Sequence, residues 1–563
     1  MSDPEDAEAM HVLARAYLAS GQFDHSVEWA SRAIRKTPSP VYLTTLGTAL
    51  LRLGRLDEAL RVFDKAVQLK PDEADLWCEL GKGLVEAARS NDALLCFQQV
   101  LRLDAGHGEA TYWAGYLLRE LGRFDEALVS LDRSAELRSD HAPTFAIRGL
   151  VLAKLGRYEQ AIADYERAIQ LDPKSVDAYS NLGNALRALG QPENALSWYD
   201  RSVAIAPNIA NATNRAITLT ELGRFDEAMV AYDQALAIDP NHATLVWNFA
   251  LLQLWLGNFE AGWRGREARW KNPDIAAGYP KLDTPMWLGK EPVAGKTVVV
   301  CQDEGMGDAI QFARYIPMLA ARGARVILVV DEPLCPLLAG LSGVSHCLPK
   351  KQGMVVPPFD FHVAIDSLPL AFGTRLDTIG AATAYLPLPD ADRVQTWEGR
   401  LGRRERLRVG LAWSGNPKHS NDRNRSIPLR LLSGILDVDA MFVSLQKNSK
   451  PQDADTLRER GDIFDHTALL TDFAETAALV SCLDLVITVD TSVAHLAAAV
   501  GRPTWILLPY VADWRWLLDR DDSPWYPTVR LFRQTATREY GSVLDRVRAE
   551  LKVLQFQFDR ERV

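Results

Sequence analysis

Apolar and small residues recur along the first half of the chain with a period of 33 or 34 residues. Each period carries a segment such as GRLDEAL from Gly54 or GRFDEAL from Gly122, and a degenerate copy, ARSNDAL, begins at Ala88. Helical hairpins of this length cannot bury their own apolar faces and must stack on their neighbours. We therefore predict an α-solenoid of about eight hairpins over residues 1–270.

Small residues also recur in a second register, where they would let paired helices approach closely. They are Gly47, Gly81, Gly115, Gly149, Gly183, Ala216 and Ala250. Together the two registers resemble the tetratricopeptide repeat. That resemblance implies a superhelix with a groove wide enough for an extended peptide. A scaffold that binds other proteins is the usual role of such an array.

Periodicity changes after residue 270, where short β-rich runs begin to alternate with helical stretches. This alternation predicts parallel sheets. We predict a linker over 271–295, one α/β lobe over 296–400, a second over 406–540 and a closing helix over 541–563. The predicted strands are Thr297–Cys301, Arg325–Val330, Phe361–Ile365, Arg408–Trp413, Met441–Leu445, Leu485–Val489 and Thr504–Leu508.

Composition and charge narrow the class of protein. Of the 563 residues 47% are hydrophobic, and the formal net charge is -10, which argues against a general nucleic-acid binder. The six cysteines form no CxxC pair, and the acidic N-terminal segment does not resemble a signal peptide. Since no apolar run approaches the roughly 18 residues needed to cross a bilayer, we expect a cytoplasmic protein without a membrane span.

The segment TVVVCQDEGMGDAIQFARY, from Thr297, joins a strand to a helix through a glycine loop. Such a loop commonly holds a phosphate, yet it carries three carboxylates, and Ile310 replaces the third glycine of a dinucleotide fingerprint. A carboxylate here suits a general base better, with Asp308 as the first candidate and Glu304 as the alternative. The structural alternative for Asp308 is the N-cap of a helix that begins at Ala309.

A better phosphate cradle is LVITVDTSVAHLAAAVGRP, from Leu485. Its strand ends at Asp490, and a helix is predicted over Val493–Val500, whose N-terminal N–H groups and dipole would favour an anion. Positive charge is expected from the loop WSGNPKHSNDRNRSIP, although a solvated surface turn is the alternative. The residues that we predict to bind the donor in these segments are Ser414, Lys418, Arg423, Arg425, Asp490, Thr491, Ser492 and His495.

Weaker sequence patterns suggest three further groups of candidate site residues. Gln446 and Lys447 follow a predicted strand and could reach a ribose or phosphate. Asn181, Asn214 and Asn248 occupy one slot in three successive repeats, where carboxamides could pair with a peptide backbone or merely face solvent. The aromatic and arginine-rich segment from Asp513 to Gln534 could cap the cleft or simply pack. The first of these groups would extend the donor site, and the asparagines would hold an acceptor.

The segments EGMGDAIQFARY, NRSIPL and TVDTSVAHLAAAVGRP resemble the heptosyltransferase family of glycosyltransferases (family 9) over about residues 296–534. The resemblance implies a GT-B fold with two Rossmann-like lobes, a nucleotide-sugar donor held without metal or cofactor, and inversion at the anomeric carbon. It puts the general base at Asp308 and donor contacts at Arg425, Asp490, Thr491, Ser492 and His495. The acceptor side would include Glu304, Gly305, Gly307 and Gln311.

Repeats followed by such a domain are similar in layout to O-linked N-acetylglucosamine transferases, whose asparagine ladder feeds protein to the catalytic domain. We therefore expect a glycosyltransferase that modifies a protein or peptide held in the repeat groove. The alternatives are a transferase acting on a lipopolysaccharide or capsule saccharide, a scaffold whose nucleotide-binding domain is inactive, and a nucleotide-sugar epimerase.

Overall fold

A computed structural model describes residues 6–351, 353–380, 383–417 and 421–562. The chain divides into two compact units, between Thr218 and Leu219. The helices of the last repeats therefore belong to the same unit as the sheets. The domain boundaries expected from the sequence, at residues 270, 295, 400 and 540, stay predictions.

The repeat region consists of helices of 13 or 14 residues joined by short turns, up to a final helix of eight. In order these helices are α1 (Ala7–Ala19), α2 (Phe23–Lys36), α3 (Pro40–Arg52), α4 (Leu56–Leu69), α5 (Ala74–Glu86), α6 (Ser90–Leu103), α7 (Gly108–Glu120), α8 (Phe124–Leu137), α9 (Ala142–Lys154), α10 (Tyr158–Leu171), α11 (Val176–Ala188), α12 (Pro192–Ile205), α13 (Ile209–Glu221), α14 (Phe225–Ile238), α15 (Ala243–Trp255) and α16 (Phe259–Arg266). The predicted repeat solenoid is confirmed.

Where the second register holds glycine, the packing within the hairpin leaves no room for a side chain. A Cβ added to Gly47 would lie 2.7 Å from the ring of Phe63 in the next helix, and one added to Gly149 would lie 2.6 Å from the ring of Tyr165. Real Cβ atoms do not approach so closely, so each aromatic ring occupies the space that a side chain would need. The small residues thus set the distance between paired helices.

The second unit adds two parallel sheets, which confirms the predicted α/β class. Its strands are β1 (Thr297–Cys301), β2 (Arg325–Val330), β3 (Val344–Pro349), β4 (Phe361–Ala364), β5 (Leu407–Ala412), β6 (Ala440–Ser444), β7 (Ile463–Phe464), β8 (Leu485–Val489), β9 (Thr504–Leu508) and β10 (Val529–Arg533). The first sheet has the order β3-β2-β1-β4 and the second β10-β9-β8-β5-β6-β7. In register, Val299 pairs with Ile327 in the first sheet and Leu411 with Ile487 in the second.

The α-helices of this part are α17 (Pro273–Gly278), α18 (Met306–Phe312), α19 (Tyr315–Ala321), α20 (Cys335–Leu338), α21 (Leu368–Ala371), α22 (Ala391–Leu401), α23 (Asp422–Arg425), α24 (Ser433–Leu436), α25 (Pro451–Glu459), α26 (Phe473–Ser481), α27 (Ser492–Ala499) and α28 (Gly541–Arg562). Short 3-10 helices cover Glu267–Lys271, Glu332–Leu334, Ile365–Ser367, Leu376–Thr378, Leu429–Leu432, Thr467–Leu469 and Trp514–Trp516. Within the described residues, none of the helices is both long and apolar enough to span a membrane.

The hairpin formed by α15 and α16 shares a hydrophobic core with the sheets. Leu254, Phe259 and Trp263 are buried among residues of β1, β2 and α18. The indole of Trp263 lies 5.2 Å, centroid to centroid, from that of Trp514 in an edge arrangement, and its Nε1 donates to the carbonyl of Thr374 at 3.0 Å. The last repeat hairpin is therefore part of the α/β core as well as of the repeat pattern.

The degenerate repeat copy carries a measurable conformational cost. Glycines end the first helix of the hairpins with positive φ, for example Gly54 at +73° and Gly122 at +74°, whereas Ala88 adopts φ +55° at the equivalent turn. A left-handed residue with a Cβ costs roughly 1–2 kcal/mol.

We expect Ala88→Gly to raise the free energy of unfolding of the repeat unit by about 1 kcal/mol, because glycine removes that strain at a small entropic cost. Urea unfolding of the full chain, followed by far-UV circular dichroism, measures the change. The matched control is Gly122→Ala, which should destabilise by a similar amount. A destabilised Ala88→Gly variant would contradict the interpretation.

Candidate functional site

A cavity of about 780 Å³ lies where the loops that follow the strands of the two sheets face each other, and all of its lining residues belong to the second unit. One side is the loop after β1, from Glu304 to Asp308. The loops after β5, β6 and β8 supply another part of the lining. Helix α15 contributes a third wall. Ligands of open α/β sheets bind at this edge, and the volume suits a small molecule.

Two carboxylates of the β1 loop are neutralised by arginines at the end of the repeat array. Arg266 Nη2 lies 2.6 Å from Glu304 Oε1 and 3.2 Å from Asp366 Oδ1. Arg269 Nε donates to Asp303 Oδ2 at 2.9 Å. Both arginines are only 1% exposed. Because removing one partner of a buried ion pair typically costs about 3–5 kcal/mol, these pairs fix the loop against α16.

The pKa values of Glu304 and Asp366 are shifted in opposite directions by their surroundings. Burial alone would raise the pKa of Glu304, but the guanidinium groups of Arg266, Arg269 and Arg515 together lower it. The pKa of Asp366 is raised well above its usual value by burial and by the nearby charge of Glu304. Glu304 is thereby held as a carboxylate, while Asp366 favours the protonated form.

Asp308 sits in the first turn of α18, which begins at Met306 and not at Ala309 as expected, because Gly305 is the N-cap. Its Oδ2 accepts from the Gly305 N–H at 3.0 Å, and its Oδ1 is paired with Arg515. Asp308 therefore caps the helix from within its first turn instead of standing at the N-cap, and it also forms an ion pair. Burial raises the pKa of Asp308, and Arg515 opposes that rise.

Arg515 is held in place by three acceptors. Its Nε donates to Gln311 Oε1 at 2.7 Å, its Nη1 lies 2.7 Å from Asp513 Oδ1, and its Nη2 pairs with Asp308. Gln311 is thus buried and engaged by this arginine, although it was expected to face an acceptor. Its assignment to the acceptor side stays a prediction.

Gly307 and His495 lie where helices α18 and α27 meet. A Cβ on Gly307 would meet His495 Cδ2 at 3.0 Å and the Ser492 Cα at 3.6 Å, so α18 and α27 approach through this glycine. His495 Nδ1 lies 2.9 Å from the hydroxyl of Tyr526, and its ring stacks on Trp516. Burial, followed by the charge of Arg515, lowers the pKa of His495 to about 3, so this imidazole is neutral at physiological pH.

The loop after β8 lines the same cavity as Asp308. Helix α27 covers Ser492–Ala499, one residue earlier than expected, and Thr491 is its N-cap without a side-chain capping bond. Both Thr491 and Ser492 line the cavity. Burial, and the neighbouring charge of Asp513, raise the pKa of Asp490 to about 6.

Arg425 reaches this loop from the helix α23. Its Nη1 donates to the carbonyl of Asp490 at 3.1 Å, and its guanidinium lies flat against Gly415, where a Cβ would be 2.7 Å from Nη2. Its Nε and the hydroxyl of Ser414 are buried without a hydrogen-bond partner in the described part of the chain. Polar atoms of this kind suit contacts with a polar ligand.

Gln446 and Lys447 line the cavity but also support its walls. Gln446 Oε1 accepts from the backbone N–H groups of Trp413 and Ser414, at 3.0 and 2.9 Å, and so fixes the start of the β5 loop. Lys447 Nζ donates to the carbonyl of Leu470 at 2.7 Å. Their expected donor contacts stay predictions.

The remaining predicted site residues lie away from the cavity lining or outside the residues that the structure describes. Lys418 falls outside the described residues. Arg423 is exposed on α23, and it is Arg425 of that helix that lines the cavity. Asn181, Asn214 and Asn248 are half-buried on helices α11, α13 and α15, and Asn248 Nδ2 donates to the carbonyl of Thr244 at 2.8 Å. Their role as a peptide ladder stays a prediction.

Sequence reasoning missed the arginines that organise the site. Arg266 and Arg269 lie in the segment that ends the repeats, and Asp366 follows β4 without any motif. Arg515 belongs to the arginine-rich segment from Asp513, and the composition of that segment indicated a place near the cleft. Only the fold shows that Arg515 pairs with Asp308. In the same segment Trp516, Trp525 and Tyr526 are buried by packing, whereas Trp514 lines the cavity.

We expect Gly307→Ala to lower the free energy of unfolding by about 1–3 kcal/mol, since the added methyl group must push α18 away from His495 and the Ser492 backbone. Thermal unfolding of the full chain measures the change. The matched control is Gly434→Ala, in α24, where an added Cβ meets no atom within 4 Å. Equal stabilities of the two variants would contradict the close approach.

Comparison with known proteins matches both halves of the chain. Models described as tetratricopeptide repeat or TPR repeat match residues 7–32, 40–83, 78–142, 149–190 and 174–241. The model of glycosyltransferase family 9 (heptosyltransferase) matches residues 448–508, which include β8, α27 and β9.

Protein FlbA of Caulobacter vibrioides is 27% identical over 319 residues, 52% of this chain and 52% of its own length, so the chain spans about half of that relative. A tetratricopeptide-repeat protein from Parabacteroides merdae is 18% identical over 44% of this chain and 98% of its own, with a TM-score of 0.36. The structure of MamA is 25% identical over 28% of this chain and 94% of its own, with a TM-score of 0.28. The family-model matches thus support a tetratricopeptide-repeat array fused to a glycosyltransferase-like domain.

Proposed function

We propose that the protein is a metal-independent, inverting glycosyltransferase of GT-B architecture that moves a sugar from a nucleotide-sugar donor to a hydroxyl of a protein. One observation carries the proposal. Asp308, after the first sheet, lines the same cavity as Arg425 and the segment Asp490–Ser492 at the edge of the second. The family match around β8 and α27 supports a glycosyltransferase on the same side of the cavity.

The donor belongs on the side of the second sheet. Arg425 uses one N–H group on the Asp490 carbonyl, and its remaining groups, together with the Ser414 hydroxyl, suit a phosphate. The N-terminus of α27 adds backbone N–H groups and the positive end of its dipole. Among the described residues, Asp472, Asp490 and Asp513 are the acidic groups that line this side. Asp472 is paired with Arg393 and Asp513 with Arg515, and the raised pKa of Asp490 reduces the repulsion that a diphosphate would meet.

Arginine takes the place of a metal ion in this proposal. Oxygens of Glu304, Asp308 and Asp366 lie within 4.8 Å of one another, a spacing that could hold a cation. However, Arg266 pairs with Glu304 and Asp366, and Arg515 pairs with Asp308. These guanidinium groups already neutralise the cluster and would repel a divalent ion.

In the proposed reaction, the acceptor oxygen forms a bond to the anomeric carbon while the bond from that carbon to the phosphate oxygen breaks. The electron pair leaves with the nucleoside diphosphate, whose charge Arg425 stabilises. The acceptor proton passes to Asp308, which retains lone pairs beyond those used by Gly305 and Arg515. A direct displacement of this kind inverts the anomeric centre.

A protein acceptor is proposed because the repeats that precede the cavity belong to a class of peptide-binding arrays, and because Asn248 lies on the helix that forms a cavity wall. A lipopolysaccharide or capsule acceptor, and an inactive scaffold, are the alternatives that the experiments below separate. The cytoplasmic location expected from the sequence stays a prediction.

We expect a panel of nucleoside diphosphates and nucleotide sugars, screened in the presence of EDTA, to contain a compound that raises the melting temperature of the full chain. Arg425→Ala should weaken binding of that compound by about tenfold or more, since a charge-assisted hydrogen bond contributes about 1.5–3 kcal/mol. The matched control is Arg430→Ala, an exposed arginine outside the cavity. If no compound stabilises the protein, the alternative of a repeat scaffold with an inactive domain is favoured.

We expect Asp308→Asn to lower the transfer rate by about 10²–10⁴-fold without loss of nucleotide binding. Arg515→Met should shift the acid limb of the pH–rate profile to higher pH: without the guanidinium the pKa of Asp308 rises further, and the base is ionised only above it. Arg425→Ala, which changes donor affinity, should leave that limb in place. An unshifted limb in Arg515→Met would contradict Asp308 as the base and turn attention to Glu304.

A further inference from the structure

Helix α15 presents an apolar wall to the cavity. Trp247, Leu251 and Trp255 are spaced four residues apart, which puts them on one face of the helix, and all three line the cavity. This helix carries the last slot of the asparagine series, so the same short element belongs both to the repeat pattern and to the candidate active site.

The wall is fixed in place before any ligand arrives. The indole Nε1 of Trp255 donates to the carbonyl of Ala512 at 2.7 Å, and Leu251 and Trp255 pack against the shared core. Arg266 lies between the rings of Trp247 and Trp514, 5.5 and 5.7 Å from their centroids. Trp247 itself is half-buried, so part of its ring faces the cavity. A rigid aromatic surface of this kind binds at low entropic cost.

The two sides of the cavity differ in chemistry. The side of the second sheet offers hydroxyls, backbone N–H groups and Arg425. On the side of α15, the charged groups already have partners: Glu304 pairs with Arg266, and Asp308 with Arg515 and the Gly305 N–H. A saccharide would bring several hydroxyls that need polar partners of their own, whereas an apolar side chain would bury its surface on the indole and leucine.

The neighbouring asparagine supports a peptide as the occupant. Asn248 follows Trp247 directly and lies three residues before Leu251, so its carboxamide flanks the apolar face. An extended peptide can offer both features, a backbone for the carboxamide and an apolar side chain for the wall. Its alternating side chains also let a hydroxyl and an apolar group point in different directions.

We propose that Trp247, Leu251 and Trp255 form an acceptor subsite that binds an apolar side chain beside the serine or threonine to be modified. This proposal rests on the proposed function and specifies its acceptor. Asp308 lines the same cavity, so a peptide anchored on the wall can offer its hydroxyl to the base.

Peptide binding to the full chain tests the subsite without reference to transfer. The probes are two blocked heptapeptides, acetyl-Gly-Ala-Leu-Ser-Leu-Ala-Gly-amide and the same peptide with glycine for both leucines, and maltose serves as the saccharide probe. The protein is labelled with 5-fluorotryptophan, and the ¹⁹F resonance of Trp247 is assigned by its loss in Trp247→Phe. Titration then reports which probe reaches this ring.

We expect the leucine peptide to shift the Trp247 resonance and to bind at least about tenfold more tightly than the glycine peptide. Trp247→Ala should abolish that preference, Leu251→Ala should reduce it, and Trp247→Phe should retain most of it. Equal binding of the two peptides, a preference that survives Trp247→Ala, or a shift caused by maltose alone would overturn the proposal.

Nucleotide-induced stabilisation of the same variants separates the possible failures. If the variants keep the stabilisation of the unaltered chain, they are folded and their donor site is intact, so lost peptide preference is specific to the wall. A stabilised protein without peptide preference would overturn the subsite and leave the transferase intact. Peptide preference without any nucleotide binding would instead contradict the proposed function.

Discussion

Buried carboxylates are costly unless positive groups face them, and the candidate site depends on how that requirement is met. The loop after β1 carries Asp303, Glu304 and Asp308, and each is paired with an arginine from a distant segment: Arg269 and Arg266 after the repeats, and Arg515 near the end of the second sheet. The acidic loop can keep its shape only when both segments are folded against it. Electrostatics therefore join three parts of the sequence into one site.

The same pairing shapes the chemistry available in the cavity. The Asp308 carboxylate is oriented by the Gly305 N–H and the Arg515 guanidinium. The pKa values of its neighbours Glu304 and Asp366 are shifted in opposite directions. Elsewhere in the cavity lining, Arg425 packs against Gly415, whose missing side chain leaves room for the guanidinium. Glycine at 307 plays a comparable part for His495. Arg425 and His495 are thus placed by close approaches that larger residues at positions 415 and 307 would block.

Much of this fold could be predicted from sequence because its signals are local. Strands β1, β2, β8 and β9 were predicted with their observed bounds, since each is a buried run of β-branched or apolar residues. The strand β3, VSHCLP, was missed because it is a partly exposed edge strand with polar residues, and β7 because it has only two residues. The sequence also pointed to the loops that line the cavity. It could not show that Gln446 braces the β5 loop or that Arg515 faces Asp308, because contacts between residues 33 and 207 positions apart depend on the completed fold.

The hairpin of α15 and α16 has a further consequence for how such proteins diversify. Tetratricopeptide repeats are readily duplicated, lost and exchanged, because each contacts mainly its neighbours. This last hairpin is different, since it supplies core residues to the α/β part, a wall to the cavity and Arg266, which balances the acidic loop together with Arg269 just beyond it. Genetic recombination could replace the earlier repeats, while purifying selection would keep this hairpin together with the α/β part of the molecule.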